Sequence, residues 1–191
     1  MLTKSQQQLL LAIAHNAIAS ELNQPLTKEN PLASASEMAT LQQPAATFVT
    51  LTLTEQLRGC IGCLTPHRPL AEDVRANAAA AAFHDPRFPP LTVAEFAALK
   101  INISLLSPDT PLTFRNEADL LQQLRPHIDG LIVAAGSARA TFLPSVWQQL
   151  PQPQQFWQQL KRKAGIAATL PVSQLQVSRY TTFSFSQPQE G

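Results

Sequence analysis

At 191 residues and 45% hydrophobic content, the chain is long enough and apolar enough for one domain with a sizeable core and room for a smaller lobe, which excludes wholesale disorder. A net charge of +1 without a long basic run argues against non-specific nucleic-acid binding, and only 14% of residues are charged, glutamine supplying much of the polar surface instead. Two cysteines are too few for a disulfide-built secreted fold, the apolar run Leu9–Ala14 is too short for a signal peptide, and no stretch reaches the ~20 apolar residues of a membrane span; a soluble, cytoplasmic protein is expected.

Ser5 and Gln8 have capping-box spacing, and Leu10, Ile13, Ala14 and Ala17 share one helical face, which predicts a helix over residues 5–22. Residues 23–45, with Pro25, Pro31 and Pro44, read as a surface connection carrying a short helix near Ser36–Leu41. Ala46–Leu53 is rich in β-branched residues and predicts a strand, with Thr54-Glu55-Gln56 as a turn and Leu57–Leu64 as the returning arm of a hairpin. Pro69 suits the first turn of a helix, where Glu72 and Asp73 match the positive dipole end and Leu70, Val74, Ala78 and Ala81 make a buried stripe. Pro86 stops that helix at Asp85. Thr92 and Glu95 open a short helix to Leu99, and Lys100–Leu106 alternates as a half-buried strand. Asn116 caps a helix through Arg125, and Gly130–Ala135 with Ala138–Leu143 predicts a second hairpin. Pro153 begins a helix ending at Gly165, with Lys161, Arg162 and Lys163 at its negative end, and Leu175–Phe185 is the final strand. Two hairpins with interspersed helices predict an α+β fold, its mainly antiparallel sheet flanked by helices. One domain over residues 1–191 is expected, with 1–45 as helix and connection and 46–185 as the main body.

The stretch Leu57–Leu91, LRGCIGCLTPHRPLAEDVRANAAAAAFHDPRFPPL, holds both cysteines, two of the four histidines and four arginines but no lysine. Arginine suits sites where a planar set of donors meets a carboxylate, phosphate or carbonyl. Gly59 and Gly62 bracket Cys60, so backbone there can turn sharply or be approached closely, leaving N–H groups uncovered beside a partly accessible thiol. Arg58–Gly62 and His84–Phe88 are expected to meet across one cleft, because the strand and the helix between them have similar lengths of ~20 Å. Candidate binding residues are therefore Arg58, Gly59, Gly62, His84, Asp85 and Arg87, with Cys60 as the catalytic candidate. Arg87 has two readings of equal weight, a brace on Asp85 and neighbouring carbonyls or a direct ligand for an anion.

Three fragments, LRGCIG at Leu57–Gly62, AAFHDPRFPPL at Ala81–Leu91 and SLLSP at Ser104–Pro108, together resemble the AMMECR domain family. GLIV at Gly130–Val133, LP at Leu143–Pro144 and KAG at Lys163–Gly165 extend the resemblance over nearly the whole chain. Cys63 stands where that motif requires no cysteine, and RATFL at Arg139–Leu143 departs from the family pattern. The resemblance implies a mixed α/β fold with a smaller lobe. It also implies the AmmeMemoRadiSam grouping, in which such a chain accompanies Memo-like and radical SAM proteins in a modification pathway. It implies no settled reaction, and the CxxxCxxC triad of radical SAM chemistry is absent from this chain.

A redox reading of Cys60 and Cys63 meets a geometric obstacle: on one strand, a separation of three puts the thiols on opposite faces, and no helix N-terminus adjoins them. Cys60, Cys63, His67 and His84 are a zinc set on paper, but the spacing matches no common finger, so no metal and no cofactor are expected. Glu72 and Asp73 read as N-terminal helix acids rather than an acid/base pair. Three functions remain open. The first is an accessory component binding a partner or a small molecule through the Cys60–Arg87 region. The second is a thiol-dependent enzyme using Cys60 with His67 or His84 as base. The third, disfavoured, is a nucleic-acid-binding module.

Overall fold

The computed structural model describes residues 2–26 and 35–187; the middle of the expected 23–45 connection, with Pro31, lies outside the described residues. The chain forms two compact units, Met1–Leu106 with Phe183–Gly191, and Ser107–Thr182. The architecture is α+β with antiparallel pairing throughout the strand pairs given below.

In the first unit, α1 (Lys4–Glu21) starts one residue earlier than the sequence suggests. The cap is Thr3, whose hydroxyl accepts from the Gln6 N–H while the Gln6 side chain returns to the Thr3 N–H, and Ser5 and Gln8 are not the pair. The short helix α2 (Ala35–Leu41) leads to β1 (Pro44–Ala45) and β2 (Thr47–Leu53). A two-residue turn, Thr54-Glu55, follows; both residues have positive φ, 47° and 64°, as the twist of a tight hairpin requires. Gln56 belongs to β3 (Gln56–Gly62) rather than to the turn. Leu51 pairs Gly59 and Thr52 pairs Leu57, so Arg58 is an extra residue without a partner on β2. Such a bulge re-aims a side chain, and it does so here for Arg58.

The chain then pairs β4 (Arg68–Pro69) with β1 and enters α3 (Leu70–Phe83). Leu70, Val74, Ala78 and Ala81 are all buried, as the stripe predicts. The alanines allow α3 to lie almost on β3: a Cβ on Gly59 would stand 2.1 Å from the Ala81 carbonyl oxygen. Thr92 and Glu95 form the expected capping box of α4 (Val93–Phe96), which is shorter than expected, and β5 (Lys100–Leu106) has the expected bounds. The sheet order is β10-β5-β2-β3, where β10 is Thr182–Ser186. Its inward residues Val49, Leu51, Ile101 and Ile103 join Leu10, Ile13, Ala14 and Ile18 of α1 and the α3 stripe in one core. The strand β3 is therefore an edge.

The second unit contains β6 (Thr110–Pro111), α5 (Glu117–Gln123), β7 (Gly130–Ala135), β8 (Ala138–Phe142), α6 (Pro153–Lys163) and β9 (Gln176–Tyr180), with sheet order β6-β9-β7-β8. Asn116 caps α5, which ends before Arg125 because Leu124 is already extended ahead of Pro126. Trp147 and Phe156 stack with centroids 3.8 Å apart over a core of Leu120, Leu131, Val133, Trp157 and Leu160. Lys161 is not a solvated end-of-helix cation as its position suggests; it is buried and donates to Glu117 at 2.8 Å. The expected final strand 175–185 is two strands, β9 and β10, which belong to different sheets.

Candidate functional site

An edge strand presents unpaired N–H and C=O groups that a protein must cover. On β3, those at Cys60 point away from β2, since Cys60 faces Thr50 side chain to side chain and the ladder bonds fall on alternate residues. The segment after α3 covers them. The Cys60 N–H donates to Asp85 Oδ2 at 2.9 Å, and Arg87 Nη2 donates to the Cys60 carbonyl at 3.2 Å. Asp85 and Arg87 are themselves joined by a two-point ion pair, Nε to Oδ1 at 2.9 Å and Nη2 to Oδ2 at 2.7 Å, and the Arg87 N–H also donates to Oδ1. The pair thus supplies one acceptor and one donor where a neighbouring strand would. Pro86 between them turns the chain after the His84 C-cap, and Asp85 is buried while Arg87 stays 53% exposed along its side chain.

The electrostatics follow. The Arg87 hydrogen bond, with the Cys60 and Arg87 N–H donors, holds the Asp85 carboxyl well below the usual carboxylate range although burial opposes it. Arg87 is raised in turn, first by its bond to Asp85 and also by the charges of Asp85 and Cys60. The bulged Arg58 sits beside this pair's loop: its Nε and Nη2 clasp Glu95 at 2.7 and 3.2 Å, and Nη2 reaches the Pro89 carbonyl at 2.9 Å. The Phe88 ring lies 5.8 Å from the Arg58 guanidinium and 5.4 Å from that of Arg87, so it separates two cations on its faces or rim. Arg58 and the Thr92 donors lower Glu95 to about 2.

Arg58, Gly59, Cys60, Asp85 and Arg87 are accordingly brought together. Gly59 and Gly62 are not open backbone awaiting a ligand: a Cβ on Gly59 would strike Ala81, and one on Gly62 would meet the Thr47 carbonyl at 2.3 Å and the Phe48 ring at 2.4 Å. Nor is the Cys60 N–H uncovered, since Asp85 occupies it. His84 is exposed, with its backbone N–H closing α3 on Ala80.

A second cluster escaped the sequence reading. Asp73 is fully buried rather than a solvated helix acid, and its carboxylate gathers the Thr47 N–H and hydroxyl, the Asn77 amide and the Arg68 guanidinium. The Cys63 thiol donates to both of its oxygens, at 3.3 and 3.4 Å. Burial, and this bond after it, push the Cys63 thiol above its ordinary pKa. The paper zinc set of Cys60, Cys63, His67 and His84 does not assemble; Cys63 and His67 come together with Asp73 instead. The two thiols contact different neighbours, Cys60 meeting Thr50 of β2 and Cys63 meeting Asp73 of α3, and neither is in a disulfide. The i, i+4 spacing of Asp73 and Asn77 on the buried side of α3 was the available signal.

No helix among the described residues is long and apolar enough to cross a membrane. A protein from Thermofilum pendens is 32% identical over 173 residues, covering 83% of this chain and 78% of that protein. One from Methanothermobacter thermautotrophicus is 41% identical over 105 residues, and the match spans 55% of each chain. The crystal structure of the uncharacterised protein PH0010 from Pyrococcus horikoshii superposes with a TM-score of 0.82 at 27% identity, covering 97% of this chain and 93% of that one. The AMMECR1 family model matches residues 11–185, and with it the LRGCIG strand and the DPRF loop just described: the chain belongs to the AMMECR1 family.

Proposed function

We propose that this chain is a binding component of a modification pathway with Memo-like and radical SAM proteins, and that it recognises a partner or an anionic small molecule at the Cys60–Arg87 corner. The observation that carries the reading is the state of Arg87. Its Nε and Nη2 are engaged by Asp85 and Cys60, yet the side chain is half exposed and Nη1 has no hydrogen-bond partner among the described residues. A guanidinium held rigid on one edge and open on the other is suited to recognising a carboxylate or carbonyl. The carboxylates beside it favour recognition over acid/base chemistry. A general base works best with a pKa near the operating pH, and both Asp85 and Glu95 are shifted the opposite way.

The test is co-purification from the native cell, comparing wild type with Arg87→Gln and Cys60→Ala. Loss of Memo-like or radical SAM partners from Arg87→Gln, with its melting curve near that of wild type, supports the reading. Equal capture by both folded variants and wild type refutes it. A thiol-dependent reaction at Cys60 is a second reading, favoured by the place of this half-buried thiol at the same corner, where the Cys60 carbonyl accepts from Arg87. Rapid, stoichiometric alkylation of Cys60 by iodoacetamide at pH 7, slowed in Arg87→Gln, is its expected signature.

A further inference from the structure

We propose that Cys63, His67 and Asp73 form a Zn²⁺ site with three protein ligands and a fourth position for water or a ligand. One sulfur, one imidazole nitrogen and one carboxylate oxygen lie within 4.8 Å of one another. In a tetrahedral site, with zinc at ~2.3 Å from sulfur and ~2.0–2.2 Å from oxygen, those two donors stand roughly 3.5 Å apart. The Cys63 sulfur is 3.3 and 3.4 Å from the two Asp73 oxygens, so that edge of the tetrahedron is already at its length. The proton of the thiol occupies the place of the metal. On binding, Zn²⁺ takes that place, the sulfur becomes a thiolate, and the proton passes to solvent.

The surroundings are those of a metal site's outer layer. Metal-binding histidines commonly bond a backbone carbonyl through the other ring nitrogen, and His67 Nδ1 lies 3.1 Å from the Thr65 carbonyl, leaving Nε2 for the ion. Asp73 is oriented by Thr47, Asn77 and Arg68, each within hydrogen-bond distance. Arg68 also adds a positive charge, which offsets one of the two negative charges of the ligated form and favours a site of modest affinity. Asp73 is buried, Cys63 half-buried and His67 exposed, so the entry path runs past the imidazole. The imidazole nitrogen lies within 4.8 Å of the other two donors, so a side-chain movement of at most about 1.5 Å brings it to the tetrahedral edge. A donor set of one thiolate, one imidazole and one carboxylate selects zinc over magnesium or calcium, which prefer oxygen alone.

The test uses the full chain, reduced and stripped with a chelator, titrated with Co²⁺ as a spectroscopic substitute. The expected result is saturation at one Co²⁺ per chain with a thiolate-to-cobalt band in the near ultraviolet, displaced by Zn²⁺. His67→Ala, at an exposed position, retains the wild-type circular dichroism and weakens binding by more than about tenfold, and Cys63→Ser loses the thiolate band. The Arg87→Gln variant binds as wild type does, which separates this site from the Cys60–Arg87 corner. Absence of saturable binding, or equal binding by wild type and His67→Ala, overturns the proposal.

Discussion

Asp85 shows how one side chain serves both the fold and the candidate site. It covers a half-buried N–H on the edge of β3 and neutralises Arg87. Asp85→Ala therefore exposes two unmet needs at once, and a loss of roughly 1–3 kcal/mol in urea unfolding is expected. The pH dependence has a definite sign. The folded carboxyl titrates below its unfolded value of about 4, so its contribution is complete above about pH 4 and is lost as the pH falls through the lower folded value. Wild type should lose stability on acidification below pH ~4 more steeply than Asp85→Asn, as denaturation midpoints at several pH values would show; parallel curves would remove Asp85 from the account. Gly59 makes a complementary case. An added Cβ would meet the Ala81 carbonyl, which is backbone and cannot rotate aside. Gly59→Ala is expected to cost about 1–3 kcal/mol, read as a lower urea midpoint at unchanged slope.

The helix α3 couples these residues. Its alanine face lets the backbone descend onto β3, and its length carries the chain back to the Cys60 level, where Asp85 and Arg87 can reach the strand edge. A larger side chain in that face forces helix and strand apart. Ala78 has no exposed surface, so Ala78→Phe should destabilise by about 1–3 kcal/mol. Under the proposed function, the variant should also weaken partner capture through the Cys60–Arg87 corner, because the DPRF loop follows the end of α3. Neutral stability on thermal melting would contradict the packing described.

The molecule's two compact units each own a hydrophobic cluster. Both tryptophans of the chain, Trp147 and Trp157, lie in the second, fully buried. Tyr180 is there too, packed over Gly130, and burial raises its hydroxyl to about 12. A fragment spanning Ser107–Thr182 holds this core complete. Expressed alone, it should give a cooperative thermal transition by tryptophan fluorescence with a structured near-ultraviolet dichroism signal. A fragment without a transition would show that its cluster is insufficient. Fluorescence of the whole chain reports on this unit, whereas the candidate sites belong to the other, so ligand titrations there need a different probe.

Local chemistry settled a good deal of this protein in advance. The pattern of Lys100–Leu106, the alanine stripe of α3, the Thr92–Glu95 cap and the Gly130–Ala135 hairpin arm are each encoded within a few residues of themselves, through side-chain period and capping geometry. The meeting of Arg58–Gly62 with His84–Phe88 was also legible, because matched element lengths return the chain to its starting level. Other features depended on partners far away in sequence. Asp73 reads as an ordinary helix acid until Thr47 of β2 and Cys63 are folded against it. Lys161 reads as a solvated cation until Glu117 is brought to it, and Leu175–Phe185 reads as one strand until two sheets claim its halves. The partners of a buried charge and the ladder a strand joins are set by burial and pairing across dozens of residues. Neither leaves a periodic trace in the chain itself, and the tertiary structure alone supplied them.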